Sequence, residues 1–218
     1  MDQQLSMATK MIDRRTSTKK GNHSYTPYFL EYTLLAEYDL LQKQKMSGVY
    51  VVPSANSPLV WFGVLFIRQG VYQGGIFRFA LHIPENYPDG DVPSVVFETP
   101  VFHPLVEADS GELEVRKGFA NRWRRNVNHL WHVLLYLRRV FYKIETSHPL
   151  NPEAAVLYES DQAMFEARAR SCVLVSQEAA LSPPQDSDPH AIVFSPFDPQ
   201  IHESVRQELK LVSRLSAI

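Results

Sequence analysis

The chain has 218 residues, of which 44% are hydrophobic and 11% aromatic, and its net charge is −2. That length holds one domain of about 150 residues plus tails, and the composition excludes a disordered or fibrous chain. The near-neutral balance excludes a whole-chain attraction to nucleic acid or to an acidic membrane surface.

Residues 1–24 are polar and rich in Lys, Arg, Ser and Thr. They carry too little apolar surface to order themselves, and they lack the apolar centre of a signal peptide. They are expected to be disordered, and no run of about 18 apolar residues follows that could span a bilayer. A helical period then sets in from Tyr28 to Lys45, with Phe29, Leu30, Leu34, Tyr38 and Leu41 on one face. Thr26 can cap it, Pro27 suits its first turn, and Ser47-Gly48 marks its end.

Strand patterns come next: Val49 to Val52, Leu59 to Ile67, Ile76 to Ile83 and Val95 to Phe97. Turn residues separate them, at Ser57-Pro58, Gly74-Gly75 and Pro84 to Pro93, which predicts a four-stranded antiparallel meander. Val101 to Trp123 has no clear period and reads as a long functional loop. Val127 to Tyr142 is apolar on most faces and predicts a buried helix. Pro152 to Ala180 predicts a second helical stretch, broken near Ser160-Asp161 and opened by Asn151-Pro152-Glu153. Leu181 to Gln200 is a Pro-, Ser- and Asp-rich spacer whose Phe194 and Phe197 suit docking on the domain. A last helix runs from Pro199 to about Leu215 with Ile201, Val205, Leu209 and Val212 along one face. The fold class is therefore α+β, with a disordered segment at 1–24, a core domain at 25–180 and a spacer plus helix at 181–218.

Four segments carry a resemblance. They are Tyr72-Gln73-Gly74-Gly75-Ile76-Phe77, Ile83-Pro84-Glu85-Asn86-Tyr87-Pro88, Pro100-Val101-Phe102-His103-Pro104 and Asn121-Arg122-Trp123. Pro149-Leu150-Asn151-Pro152-Glu153-Ala154-Ala155 follows in the same order. Over roughly residues 28–180 the chain resembles the ubiquitin-conjugating (E2) family. That resemblance implies the UBC-like fold: an N-terminal helix, the meander sheet and C-terminal helices, with the last helix as an extension.

Ubiquitin transfer needs a thiolate to hold the acyl group, a donor for the oxyanion and a way to deprotonate the incoming lysine. The family pattern supplies these as His-Pro-Asn, then Gly-x-Ile-Cys-Leu, then an acidic residue. Here Leu105 stands where the asparagine belongs, and its side chain donates nothing. Aligning Gly111 on the pattern's glycine puts Glu114 at the cysteine position, whereas an ungapped count from His103 puts Leu113 there. The acidic position falls on His148. Leu105, Glu114 and His148 are thus degenerate site positions, and no cofactor or metal is expected. The one cysteine, Cys172, cannot form an internal disulfide, which suits a reducing compartment and a cytoplasmic protein. It belongs to the late helix and reads as a small buried residue.

The loop that family members use for E3 ligases is altered too. It reads Tyr87-Pro88-Asp89-Gly90-Asp91-Val92-Pro93, with acid in place of an aromatic residue. Arg122, Arg124 and Arg125 form a basic knot nearby, while His129 and His132, three apart, lack the further ligands a metal needs. The resemblance narrows to a catalytically silent branch of the family, carried by the non-cysteine site and the tail Pro189-His190-Ala191-Ile192-Val193-Phe194-Ser195-Pro196-Phe197. That branch implies an adaptor that binds Hook-family coiled-coil proteins and the protein FHIP, reaches vesicle membranes only through partners, and has the kinase AKT as a further candidate partner. The stripe Ile201, Val205, Leu209 and Val212 is the expected partner surface, with folding back onto the domain as the competing reading. A ubiquitin-binding variant that assists an active E2 is the alternative, and an enzyme with another nucleophile is a third.

Overall fold

The computed structural model describes residues 27–215 in backbone and residues 29–209 in side chain. The expectations for residues 1–24, for Thr26 as a cap and for the side chain of Val212 lie outside the described residues.

Helix α1, Pro27–Lys43, leads into strands β1 (Val49–Pro53), β2 (Val60–Phe66), β3 (Ile76–His82), β4 (Ser94–Phe97) and β5 (Glu112–Leu113). All neighbours pair antiparallel in the order β1-β2-β3-β4-β5. The sheet thus has five strands where the pattern predicts four. The fifth is two residues long, too short for any alternation to register. It exists because Gly111, at φ +72, lets the backbone approach β4; a Cβ there would lie 2.7 Å from the Phe97 carbonyl oxygen.

Alternation divides the sheet's two faces. Trp61, Leu65, Phe77, Phe79, Leu81, Val95 and Phe97 point into the main core. Gly63 stands opposite Phe79, whose ring fills the space that a side chain at 63 would need. Helix α2, Leu130–Tyr142, packs on this face through Leu130, Val133, Leu134, Leu137, Val140 and Phe141. The Phe141 ring stacks on Phe77 at 5.3 Å.

α2 begins three residues later than Val127. Asn126 adopts the left-handed conformation at φ +61, and the Asn128 side chain accepts from the Arg124 amide at 2.8 Å, so the chain turns before the helix starts. Glu37 of α1 then terminates the helix from a distance. Its carboxylate is buried and accepts from the Leu130 amide at 3.0 Å, satisfying a donor that the helix itself leaves open.

The later stretch is two helices, α3 (Pro152–Ser160) and α4 (Gln162–Ala180), broken at Asp161, whose side chain caps α4 by accepting from Met164 at 3.0 Å. The spacer is fastened to the outer face of the sheet. The Arg78 guanidinium of β3 donates to the carbonyls of Ala180 and, at 2.9 Å, Ser182. Asp188 accepts from Ser54 at 2.6 Å and from the Ala55 and Asn56 amides at 3.1 Å. Phe194 meets Phe66 edge-on at 6.1 Å, whereas Phe197 stays exposed. Helix α5, Pro199–Leu215, follows. No helix among the described residues is long and apolar enough to cross a membrane.

Candidate functional site in the β4–α2 loop

The long loop is built around a buried histidine. His103 is fully enclosed, with its ring 5.7 Å from Tyr72 and 5.3 Å from Phe141. The Leu105 amide donates to its Nδ1 at 3.0 Å, so Nδ1 is the acceptor and Nε2 carries the proton. That proton points at the Val140 carbonyl, 3.1 Å away. Burial holds the imidazole down to about 4, which keeps it neutral. It is a bracket between the loop and α2, with no free nitrogen for chemistry.

Leu105 follows and is completely buried in the main core. Its carbonyl accepts from the Glu114 amide at 2.8 Å. The structure therefore brings Leu105 and Glu114 together, and both are occupied structurally. The Glu114 carboxylate accepts from the Lys117 amide at 3.2 Å and so starts the 3₁₀ turn Arg116–Phe119. Leu113, the other position at which the family's cysteine could fall, is buried and paired with Val95 in β5.

His148 is not gathered with them. It is exposed and left-handed at φ +53. The link runs through its neighbour: Lys117 Nζ donates to the Ser147 carbonyl at 2.8 Å and to its hydroxyl at 2.6 Å, and sits 3.4 Å from Glu145. Pattern reading passes over Lys117 and Glu145 because these partners are about thirty residues apart and belong to no motif. Tyr136 escapes it as well. Its hydroxyl is buried without a partner among the described residues, and burial, with help from Glu145 and Glu114, pushes it up to about 12. Asn151 closes the site from α3: its amide donates to the Pro104 carbonyl at 3.0 Å while its side chain caps Ala154 at 3.0 Å.

Cys172 lies buried on α4, and burial raises its thiol to about 11. A thiol held there is protonated at neutral pH and a poor nucleophile. His129 and His132 are taken up by the start of α2. The His129 amide donates to His132 Nδ1 at 3.0 Å, and His129 Nδ1 lies 2.9 Å from Glu37. Among the described residues no group of three or more His, Cys, Asp or Glu could hold a metal. On α5, Ile201, Val205 and Leu209 are exposed by 64%, 53% and 64%, so this part of the stripe is not folded back on the domain.

The model of the family described as ubiquitin-conjugating enzyme matches residues 33–173. The chain is 55% identical over 193 residues to the AKT-interacting protein of Homo sapiens, covering 88% of this chain and 66% of that one. It is 52% identical over 205 residues to the Rattus norvegicus protein of the same name, with 94% and 70% covered. The Danio rerio relative of that name is 53% identical over 195 residues, with 89% and 66% covered. The chain thus spans about two thirds of the length of these relatives. The sheet, the flanking helices and the matched range together are those of an E2-like variant.

Proposed function

This chain belongs to the ubiquitin-conjugating enzyme family, and on that premise we propose that it works without catalysis, as an E2-like adaptor that holds other proteins. One observation carries the reading. The loop where transfer chemistry would sit has a core leucine at 105 and a turn-starting carboxylate at 114, while the single thiol is buried on another element. A carrier of ubiquitin needs an accessible thiolate and an oxyanion donor, and the loop presents neither.

The partners proposed are Hook-family coiled-coil proteins and FHIP, in a cytoplasmic complex that links vesicles to microtubule motors. The name borne by the relatives supports the kinase AKT as a further partner. Support for a helical partner comes from α5, whose Ile201, Val205 and Leu209 project one turn apart into solvent. Stripes of this spacing are read by apolar grooves or coiled-coil seams.

Two measurements test the proposal. Incubation with an activating enzyme, ATP and ubiquitin gives no thiol-sensitive adduct; a reducible adduct on Cys172 sinks the non-catalytic reading. Changing Val205 and Leu209 to Asp abolishes capture of a Hook-type partner with the melting temperature unchanged; full capture by that variant removes α5 from the interface. Titration of labelled ubiquitin, followed by NMR, tests the ubiquitin-binding alternative, and saturable shifts on the domain would favour it.

A further inference from the structure

The basic knot lines a cavity that neither the degenerate loop nor α5 uses. Arg116, Arg122, Arg124 and Arg125 all border one concavity of about 530 Å³, together with Asn121 and Trp123. We propose that this cavity is a binding site for a phosphorylated side chain carried on a peptide segment.

The cavity is held open by its own backbone. Ala120 and Asn121 are left-handed at φ +51 and +57, and Asn126 at φ +61. The turn that carries Ala120 and Asn121 is closed by bonds from the Asn121 amide to the Arg116 carbonyl at 2.9 Å and from the Arg122 amide to the Phe119 carbonyl at 3.0 Å. Arg116, Arg122 and Arg124 are exposed, and none has a carboxylate within ion-pair distance among the described residues. Arg125 pairs with Asp89 at 2.9 Å. Asp91 also borders the cavity, so four guanidinium groups face two carboxylates and the local balance is positive.

Trp123 gives the cavity a fixed wall. Trp123 is only 6% exposed, clamped between Phe119 at 5.2 Å and Tyr87 at 5.8 Å. Its indole N–H forms no hydrogen bond among the described residues. Trp123 is among the residues that line the cavity.

The donor set selects the ligand. A carboxylate presents two oxygens, whereas a phosphate monoester presents three and carries nearly two charges at neutral pH. Guanidinium groups take such oxygens in pairs of parallel bonds, which is why arginine is the residue of phosphate sites. Three unpaired guanidinium groups fit a phosphate better than a single carboxylate. Asp89 and Asp91 on the rim disfavour an extended polyanion or an anionic membrane, both of which would press several negative charges against them.

The test uses the full chain, labelled with 15N, with the Trp123 indole resonance assigned by its loss in Trp123→Phe. The probes are a glycine-flanked phosphoserine peptide, its unphosphorylated twin, inorganic phosphate and phosphatidylserine vesicles. The expected result is a saturable shift of the Trp123 indole with the phosphopeptide and none with the twin. The Arg122→Gln, Arg124→Gln double variant then binds at least about tenfold more weakly, with its other resonances in place, and binding weakens as salt rises. The proposal is overturned if millimolar phosphopeptide moves nothing at Trp123. It also falls if the double variant binds as well as the parent, if vesicles bind and the peptide does not, or if inorganic phosphate binds as tightly as the peptide, which would mark an ion site only.

Discussion

Replacing Leu105 by Asn restores the residue type of the transfer motif, and the structure says that it should damage the domain instead. The Leu105 side chain has no exposed surface and lies in the main core. Removing it forfeits about 1.5–3 kcal/mol of apolar burial. The new amide is desolvated with no partner assigned to it, since the Leu105 carbonyl is already taken by Glu114 and the His103 ring by the Leu105 amide. That adds roughly 1–3 kcal/mol. The total of about 2.5–6 kcal/mol is a large share of the 5–15 kcal/mol that holds a typical domain. With a urea slope of about 2–3 kcal/mol per molar, the unfolding midpoint should fall by about 1–3 M at constant slope. Leu105→Met is the control, with a cost under about 1.5 kcal/mol because volume and polarity are kept. A Leu105→Asn protein within about 1 kcal/mol of the parent would refute the reasoning, because position 105 would then have a polar outlet that the described packing denies it.

Three further outcomes follow from other bonds. Glu37→Ala leaves the Leu130 amide of α2 without its acceptor and should cost about 1.5–3 kcal/mol in chemical unfolding; an unchanged midpoint would show that α2 is terminated without α1. His103 is held near 4 in the fold against about 6.5 when unfolded, so between these values only the unfolded chain binds the proton. Stability is therefore complete above pH 6.5 and falls by about 1.4 kcal/mol per unit toward pH 4, some 3 kcal/mol in all, and His103→Asn should remove that one-proton slope. Asp188→Ala removes the acceptor of the Ser54, Ala55 and Asn56 donors, and hydrogen exchange of residues 182–194 should accelerate while α2 stays protected. Unchanged exchange would mean that Arg78 and Phe194 suffice to hold the spacer.

The order of helix, meander, loop and helices was legible because the hydrophobic period changes at each border. α1, β1 to β4 and α5 begin or end within two residues of the positions where the pattern turns. β5 was not legible, because two residues carry no period and its cause is the left-handed Gly111 beside Phe97. The start of α2 was misplaced because Val127 is apolar like the helix, while the deciding features are the left-handed Asn126 and a carboxylate from Glu37, far back in the chain. At the site, residue types at Leu105 and Glu114 could be read directly, but their occupations could not. That Leu105 fills the core and Glu114 starts a 3₁₀ turn are tertiary facts. Asp188 meets Ser54 across 134 residues, a separation no local pattern encodes.

The outer face of the sheet makes the spacer part of the folded unit. Phe62 and Val64 point away from the main core by strand alternation, yet they are only 4% and 2% exposed. Neighbouring Phe66 and Arg78 on the same face are capped by Phe194, the Arg78 guanidinium lying 5.7 Å from its ring centre. A spacer tied down at Ser182, Asp188 and Phe194 leaves four residues before Pro199, where α5 begins. The Asp198 carbonyl accepts from Ile201 and His202 at 3.2 and 2.8 Å and so opens the first turn of α5. The apolar stripe thus begins a short tether away from the last anchored residue, Phe194. A short tether from an anchored point narrows the space that a helix explores, which lowers the entropy a partner of α5 would have to remove. Loosening the spacer should then weaken partner capture through α5 even though Ile201, Val205 and Leu209 are untouched.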